Sequence, residues 1–269
     1  MSDPRPEVSD TTEQKTSQDI LGSLIDGALH EMNRERSGLL LSGFSAGLDI
    51  GFGPLMMAVI LTLSQSGFGD LTTELLLASV YSIGFMFVIL GRSELFTEHT
   101  TLAVIPVLDK QASIQQLARL WGLVYVGNIV GGFLFTQLVV LLMPGLGVVS
   151  PEAFETIALK LVNHELQWIL VGGVFAGWLM GLLAWLVTAA QETTSRLLLI
   201  LIVTGTIGIL HLPHSIAGNV EVLFGLLMSP EISLLDYLAF LVLATIGNAF
   251  GGGIFVALLK YGHVVRGGN

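Results

Sequence analysis

Apolar residues come in long runs along the chain, and most polar residues fall between the runs. Six runs, 38–63, 71–108, 117–143, 166–188, 197–228 and 234–259, reach or exceed the ~20 residues a helix needs to cross a bilayer. Strands of a membrane barrel would alternate in polarity over ~10 residues, and that alternation is not found. The pattern predicts an all-α membrane protein with six transmembrane helices, its channel domain covering 37–263. Before the first run, Ile20, Leu21, Leu24, Ile25, Ala28, Leu29 and Met32 recur at helical spacing. Residues 20–36 therefore read as an amphipathic helix, too charged to span, lying at the membrane interface or packed beneath the bundle. Residues 1–19 read as a disordered acidic tail without the pattern of a signal peptide, and 264–269 as a short tail at the other end.

The second and fifth runs are interrupted. The second carries Gly91-Arg-Ser-Glu-Leu-Phe-Thr-Glu-His-Thr-Thr101, and the fifth carries His211-Leu-Pro-His-Ser215. Pro213 has no backbone N–H and disfavours helix at the residue before it. An ionisable residue at bilayer depth costs about 2.5–3.5 kcal/mol on insertion scales. Arg92, Glu94, Glu98 and, further on, Glu221 are thus expected to satisfy one another in a supporting charge network, with Arg92 as its cation. Broken helices at membrane depth are tolerated where they line a cavity.

The two interruptions sit in matching halves. Gly43-Phe-Ser-Ala-Gly47 matches Gly173-Val-Phe-Ala-Gly177, and Gly127-Asn-Ile-Val-Gly-Gly-Phe-Leu-Phe135 matches Gly247-Asn-Ala-Phe-Gly-Gly-Gly-Ile-Phe255. Three spans per half give the halves opposite orientations. This is an inverted 3+3 repeat with broken second and fifth helices, and such breaks point to a transporter's substrate site. Asn128 and Asn248 are expected to tie the interrupted backbone through side-chain hydrogen bonds, and the glycine-rich faces of spans three and six to permit close helix packing.

The 269 residues are 52% hydrophobic with a mean hydropathy of +0.78, which no ordinary soluble domain reaches. The absence of cysteine excludes disulfides, thiolate catalysis and cysteine–metal sites. The net charge of −10 argues against nucleic acid as a partner. Nine of the eleven basic residues fall on one side if both termini are cytoplasmic, which sets that orientation. Lys160 is then the cation of the outer loops, placed to raise the concentration of an anion at one mouth or simply to be solvated.

Among candidate groups, His214 can donate or accept a proton near neutral pH, or hold a carbonyl freed by Pro213. Thr97 is its counterpart at the first break. Phe96 and Phe85 are candidates for a constriction that strips water, or for plain core. Glu94, Glu98, His99, His211 and His214 are also carboxylate and imidazole groups that a membrane metalloenzyme would use, although their spacing matches no ligand signature. A channel for water or neutral solutes is a third reading.

Glu94-Leu-Phe-Thr97, His214-Ser-Ile-Ala217, the paired Gly-Asn…Gly-Gly motifs and the six-span length together resemble the formate/nitrite transporter family, over about 20–262. The resemblance implies an aquaporin-like protomer, a homopentamer in the inner or plasma membrane with one pore per protomer, and small monovalent anions or their neutral acids as substrates. It implies no enzyme activity, cofactor or metal. It makes His214 the central pore histidine, Thr97 its partner and Phe96 part of the cytoplasmic-side constriction. Tyr81 and Phe85 fall at other narrowings. The chain departs from the family where Ile207 replaces an aromatic constriction residue and Gly177 a pore asparagine. Arg92, Glu98-His99 and Pro213 are similar instead to a divergent YfdC-like branch.

Overall fold

The computed structural model describes residues 14–64, 67 and 69–267, and among these every regular element is a helix. α1 (Ser17–Asn33) starts three residues ahead of the expected Ile20, because Thr16 and Asp19 form a reciprocal capping box. Part of the expected tail is therefore helix, and its residues 1–13 lie outside the described residues. The apolar face of α1, Ile20, Leu21, Leu24 and Ile25, is buried on Ile105, Trp185, Ala257 and Val264. It packs beneath the bundle. Arg119 holds the end of α1 by donating to the carbonyls of Met32 and Arg34.

α2 (Arg36–Ile50) and α3 (Phe52–Ser64) form the first apolar span, and α4 (Asp70–Gly91) the next. The short α5 (Phe96–Leu102) and α6 (Val104–Leu108) lead to the 29-residue α7 (Ile114–Leu142). α8 (Pro151–Val162) was not expected: at 12 residues, with Glu152, Glu155 and Lys160, it lacks the signature of a span. Ala153, Phe154, Ile157, Ala158 and Leu161 give it one buried face. α9 (Leu166–Ala189) follows. The fifth apolar run is two shorter helices, α10 (Thr193–Ile209) and α11 (Ser215–Met228). α12 (Leu234–Phe250) continues through a π-helical stretch, Gly251–Leu258, into α13 (Leu259–Gly267), so the expected C-terminal tail is helical as far as Gly267. Five helices among the described residues are long and apolar enough to cross a membrane.

α2 packs on α7, and α9 on α12 and its π-helical continuation. Both contacts need glycine. A Cβ on Gly131 would lie 2.2 Å from the Phe44 carbonyl oxygen, and one on Gly251 2.0 Å from that of Val174. α4 and α10 pack on each other and reach α2 and α9 respectively, while α5 and α11 each touch both α7 and α12.

α4 and α10 end in the same way. The N–H groups of Arg92 and Ser93 donate to the carbonyls of Ile89 and Val88, and those of His211 and Leu212 to Gly208 and Ile207. This is the Schellman pattern, which places one residue in the left-handed region. Here those residues are Arg92 (φ 57°) and His211 (φ 46°) rather than glycine. The chain then runs non-helically through 93–95 and 212–214 before α5 and α11 begin.

Candidate functional site

Each non-helical stretch would leave buried backbone groups without partners in an apolar bundle. One asparagine serves each stretch. Asn128 Oδ1 accepts from the Phe96 N–H at 2.8 Å, and its Nδ2 donates to the carbonyls of Gly43 at 2.8 Å and Glu94 at 2.9 Å. Asn248 Oδ1 accepts from the Ser215 N–H at 2.7 Å, and its Nδ2 donates to Gly173 at 2.8 Å and Pro213 at 2.9 Å. These ties hold the starts of α5 and α11 in the middle of the bundle.

There, Thr97 and His214 meet. Both are buried, and His214 Nε2 lies 2.8 Å from Thr97 Oγ1. His214 is also the N-cap of α11, its Nδ1 accepting from the Ala217 N–H at 3.1 Å. A backbone N–H can only donate, so Nδ1 is an acceptor and the neutral ring carries its proton on Nε2. Nε2 then donates to the Thr97 oxygen, which leaves the Thr97 hydroxyl proton free for another acceptor. Ser215 Oγ, next in sequence, is buried and has no hydrogen-bond partner among the described residues.

Aromatic rings flank the pair. Phe85 stands edge-on to His214 with centroids 5.0 Å apart, and Tyr81 packs on Phe85 at 5.2 Å. Phe96 packs against Trp121 at 5.8 Å and Tyr125 at 4.9 Å, two rings of α7. Four of the expected residues, His214, Thr97, Phe85 and Tyr81, thus form one connected row, and Phe96 neighbours Thr97 in a separate aromatic cluster.

Ile207 and Tyr81 line a cavity of about 10 Å³ with Lys160, His211 and Glu221, room for roughly one water. Lys160 pairs with Glu74, whose other oxygen is 3.2 Å from His211 Nε2. Glu74 is thus a partner that the sequence reading missed. It stands seven residues before Tyr81 on α4, spacing that could have placed it there.

The supporting charge network differs from expectation. Arg92 is exposed, and among the described residues it makes no ion pair. Glu94 is held instead by His99 Nε2 and by Arg34 Nη1 at 3.4 Å, and Arg34 also reaches Glu31 at 3.0 Å. Glu98 lines a cavity of about 260 Å³ between α1 and the bundle, with Glu31, Arg92, Glu94 and His99. Glu221 takes no part in this network; it faces the smaller cavity beside α8. The imidazole and carboxylate groups are thus dispersed, and among the described residues no three converge as metal ligands.

The formate/nitrite transporter model matches residues 18–262. The inner membrane protein YfdC of Escherichia coli K12 is 29% identical over 87% of this chain and 74% of its own. Among solved structures, an ion channel of the FNT family superposes with a TM-score of 0.81 at 22% identity, over 91% of this chain and 98% of that one. A pentameric formate channel with formate bound gives 0.75 at 21% identity, over 86% and 98%. The fold is therefore that of these channels, and the family is one of transporters rather than enzymes. With a match over nearly all of its apolar helices and a relative in YfdC, this multi-pass membrane chain belongs to the formate/nitrite transporter family.

Proposed function

We propose that the chain is the protomer of a homopentameric channel in the plasma membrane, passing small monovalent anions of the formate, nitrite and hydrosulfide class together with a proton. The observation that carries this reading is the buried His214–Thr97 pair beside the Phe85–Tyr81 row. A bare anion in such a low-dielectric passage meets a large desolvation penalty. The free Thr97 hydroxyl proton and the N-terminal end of α11 offset part of it, and protonation of the anion removes most of the rest.

The protomer is read as six spans in an inverted 3+3 repeat, α4–α5 and α10–α11 being the broken helices. The matched asparagine ties and the matched Schellman endings, 119–120 residues apart, support that reading. Both termini are assigned to the cytoplasm, because Arg34, Arg36, Lys110, Arg119, Arg196, Lys260 and Arg266 flank the spans on the α1 side. α1 then closes the cytoplasmic face, and Lys160 sits at the outer mouth.

Purified protein in proteoliposomes tests the function, with labelled formate, nitrite, hydrosulfide and acetate at neutral and mildly acidic pH. At least one anion should cross faster than in protein-free vesicles, and faster at the acidic pH. His214→Phe, which fills the site with an apolar ring, should abolish the flux of each. Swelling in glycerol without any anion flux would replace this reading with a neutral-solute channel.

A further inference from the structure

Proton-coupled flux needs a group that exchanges a proton with the substrate, and His214 is poorly placed to be that group. Its Nδ1 is committed to the Ala217 N–H and its Nε2 to Thr97. Glu221 lies on α11 seven residues beyond His214, two turns along the same helix face. It is 5% exposed, and among the described residues it makes no hydrogen bond or ion pair. An ionisable side chain inside a membrane span without a structural partner is a functional group by default.

Its surroundings suit the task. Glu221 lines the water-sized cavity with Tyr81 and Ile207, on the α8 side of Phe85 and His214. The titratable and charged groups around that cavity are Lys160 on α8, His211 after α10 and Tyr81 on α4, with Glu74 held behind Lys160. Among the described residues α3 adds only Met57, and α7 and α12 add nothing to the lining. A carboxyl group that makes no hydrogen bond among the described residues, and that feels Lys160 through space, can exchange its proton with water or substrate reaching the cavity.

We propose that Glu221 is the proton-exchange group of the transport path, an inference that rests on the anion-transport reading above. An anion entering from the α8 side meets Lys160 and then the Glu221 carboxyl. The O–H bond of Glu221 breaks, and a new bond to the same proton forms on the anion. The neutral acid moves on past Phe85 to His214 and Thr97. The Glu221 carboxylate, facing Lys160, then takes a proton from water at the mouth beside His211. One proton accompanies each anion, and nothing is oxidised or reduced.

The test uses the full-length protein in proteoliposomes, with labelled formate outside and a pH-sensitive dye inside. The parent should take up formate with matching acidification. Glu221→Gln keeps the shape and the hydrogen-bonding capacity but carries no exchangeable acid. It should slow proton-accompanied uptake by at least about tenfold and flatten its rise toward acidic pH, while Glu221→Asp recovers part of both. Glu221→Met, apolar and of similar length, gives the same readout if the glutamine variant does not fold. A glutamine or methionine variant with the parent's rate, proton-to-formate ratio and pH profile overturns the assignment and leaves the anion reading standing. A parent that moves none of the anions overturns both.

Discussion

Arg92 holds a φ of 57° at the end of α4, and that backbone conformation, not its charge, governs what a substitution there does. A left-handed conformation costs about 1–2 kcal/mol for a residue with a side chain and little for glycine. Its side chain is exposed and makes no ion pair among the described residues. Arg92→Gly should therefore hold or raise the melting temperature of the detergent-solubilised protein, and Arg92→Leu should change stability by only about 0.5 kcal/mol, as exposed substitutions do. A loss of about 3–5 kcal/mol in Arg92→Leu, the signature of a broken buried pair, would show that the side chain turns inward. Arg34→Leu should do more harm, because it takes a cation away from both Glu31 and Glu94. The charges of this site were legible in the sequence, but their pairing was not. Arg34 is 60 residues from Glu94 and lies just past α1, and only the folding of α1 beneath the bundle brings them together. Glu221, grouped with Glu94 by type, belongs to a different cavity.

At the scale of elements, α5 and α11 stay at the centre of the bundle because Asn128 and Asn248 satisfy the backbone that leads into them. Truncating either asparagine leaves one buried N–H and two carbonyls without a partner, at about 1–3 kcal/mol for each group. Asn128→Ala and Asn248→Ala should therefore lower stability by several kcal/mol and by similar amounts, read as paired drops in melting temperature. A drop in only one of them would mean that the two ties are not equivalent. These ties were legible because the Gly-Asn motifs recur in the sequence at an offset of 120 and because an interrupted helix must find partners for its backbone. α8 was not legible. Its buried face of Phe154, Ile157 and Leu161 is set by Phe224 and its neighbours on α11, and a 12-residue helix carrying charge looks like loop when spans are sought. The π-helical stretch was also hidden, since three successive glycines, Gly251–Gly253, read as a packing face and not as a change of helical pitch.

For the whole molecule, the pentamer proposed above raises the question of what would hold its protomers to one another. The glycine faces of α7 and α12 were expected to permit close helix packing. They are spent inside the protomer: Gly131 lies against Phe44 of α2, and Gly251 against Val174 of α9. Outside the protomer, α7 presents Val126, Val130, Phe133, Leu134, Leu138 and Leu141, and α12 presents Leu238, Val242, Ile246 and Phe250, all exposed at helical spacing. Lipid tails are as apolar as these side chains, so the proposed assembly would draw on the packing of large side chains over a broad surface rather than on the hydrophobic effect. Native mass spectrometry of the purified protein should give five times the 28.7 kDa of one chain. If the proposed pentamer uses this broad face, Phe133→Ala should leave it intact. Gly131→Leu should behave differently, since any side chain there meets backbone 2.2 Å away and separates α7 from α2. It should abolish folding and assembly together, seen as aggregate rather than monomer on size exclusion. A folded, soluble monomer of Gly131→Leu would place that glycine between protomers instead and would overturn the packing described for α2 and α7.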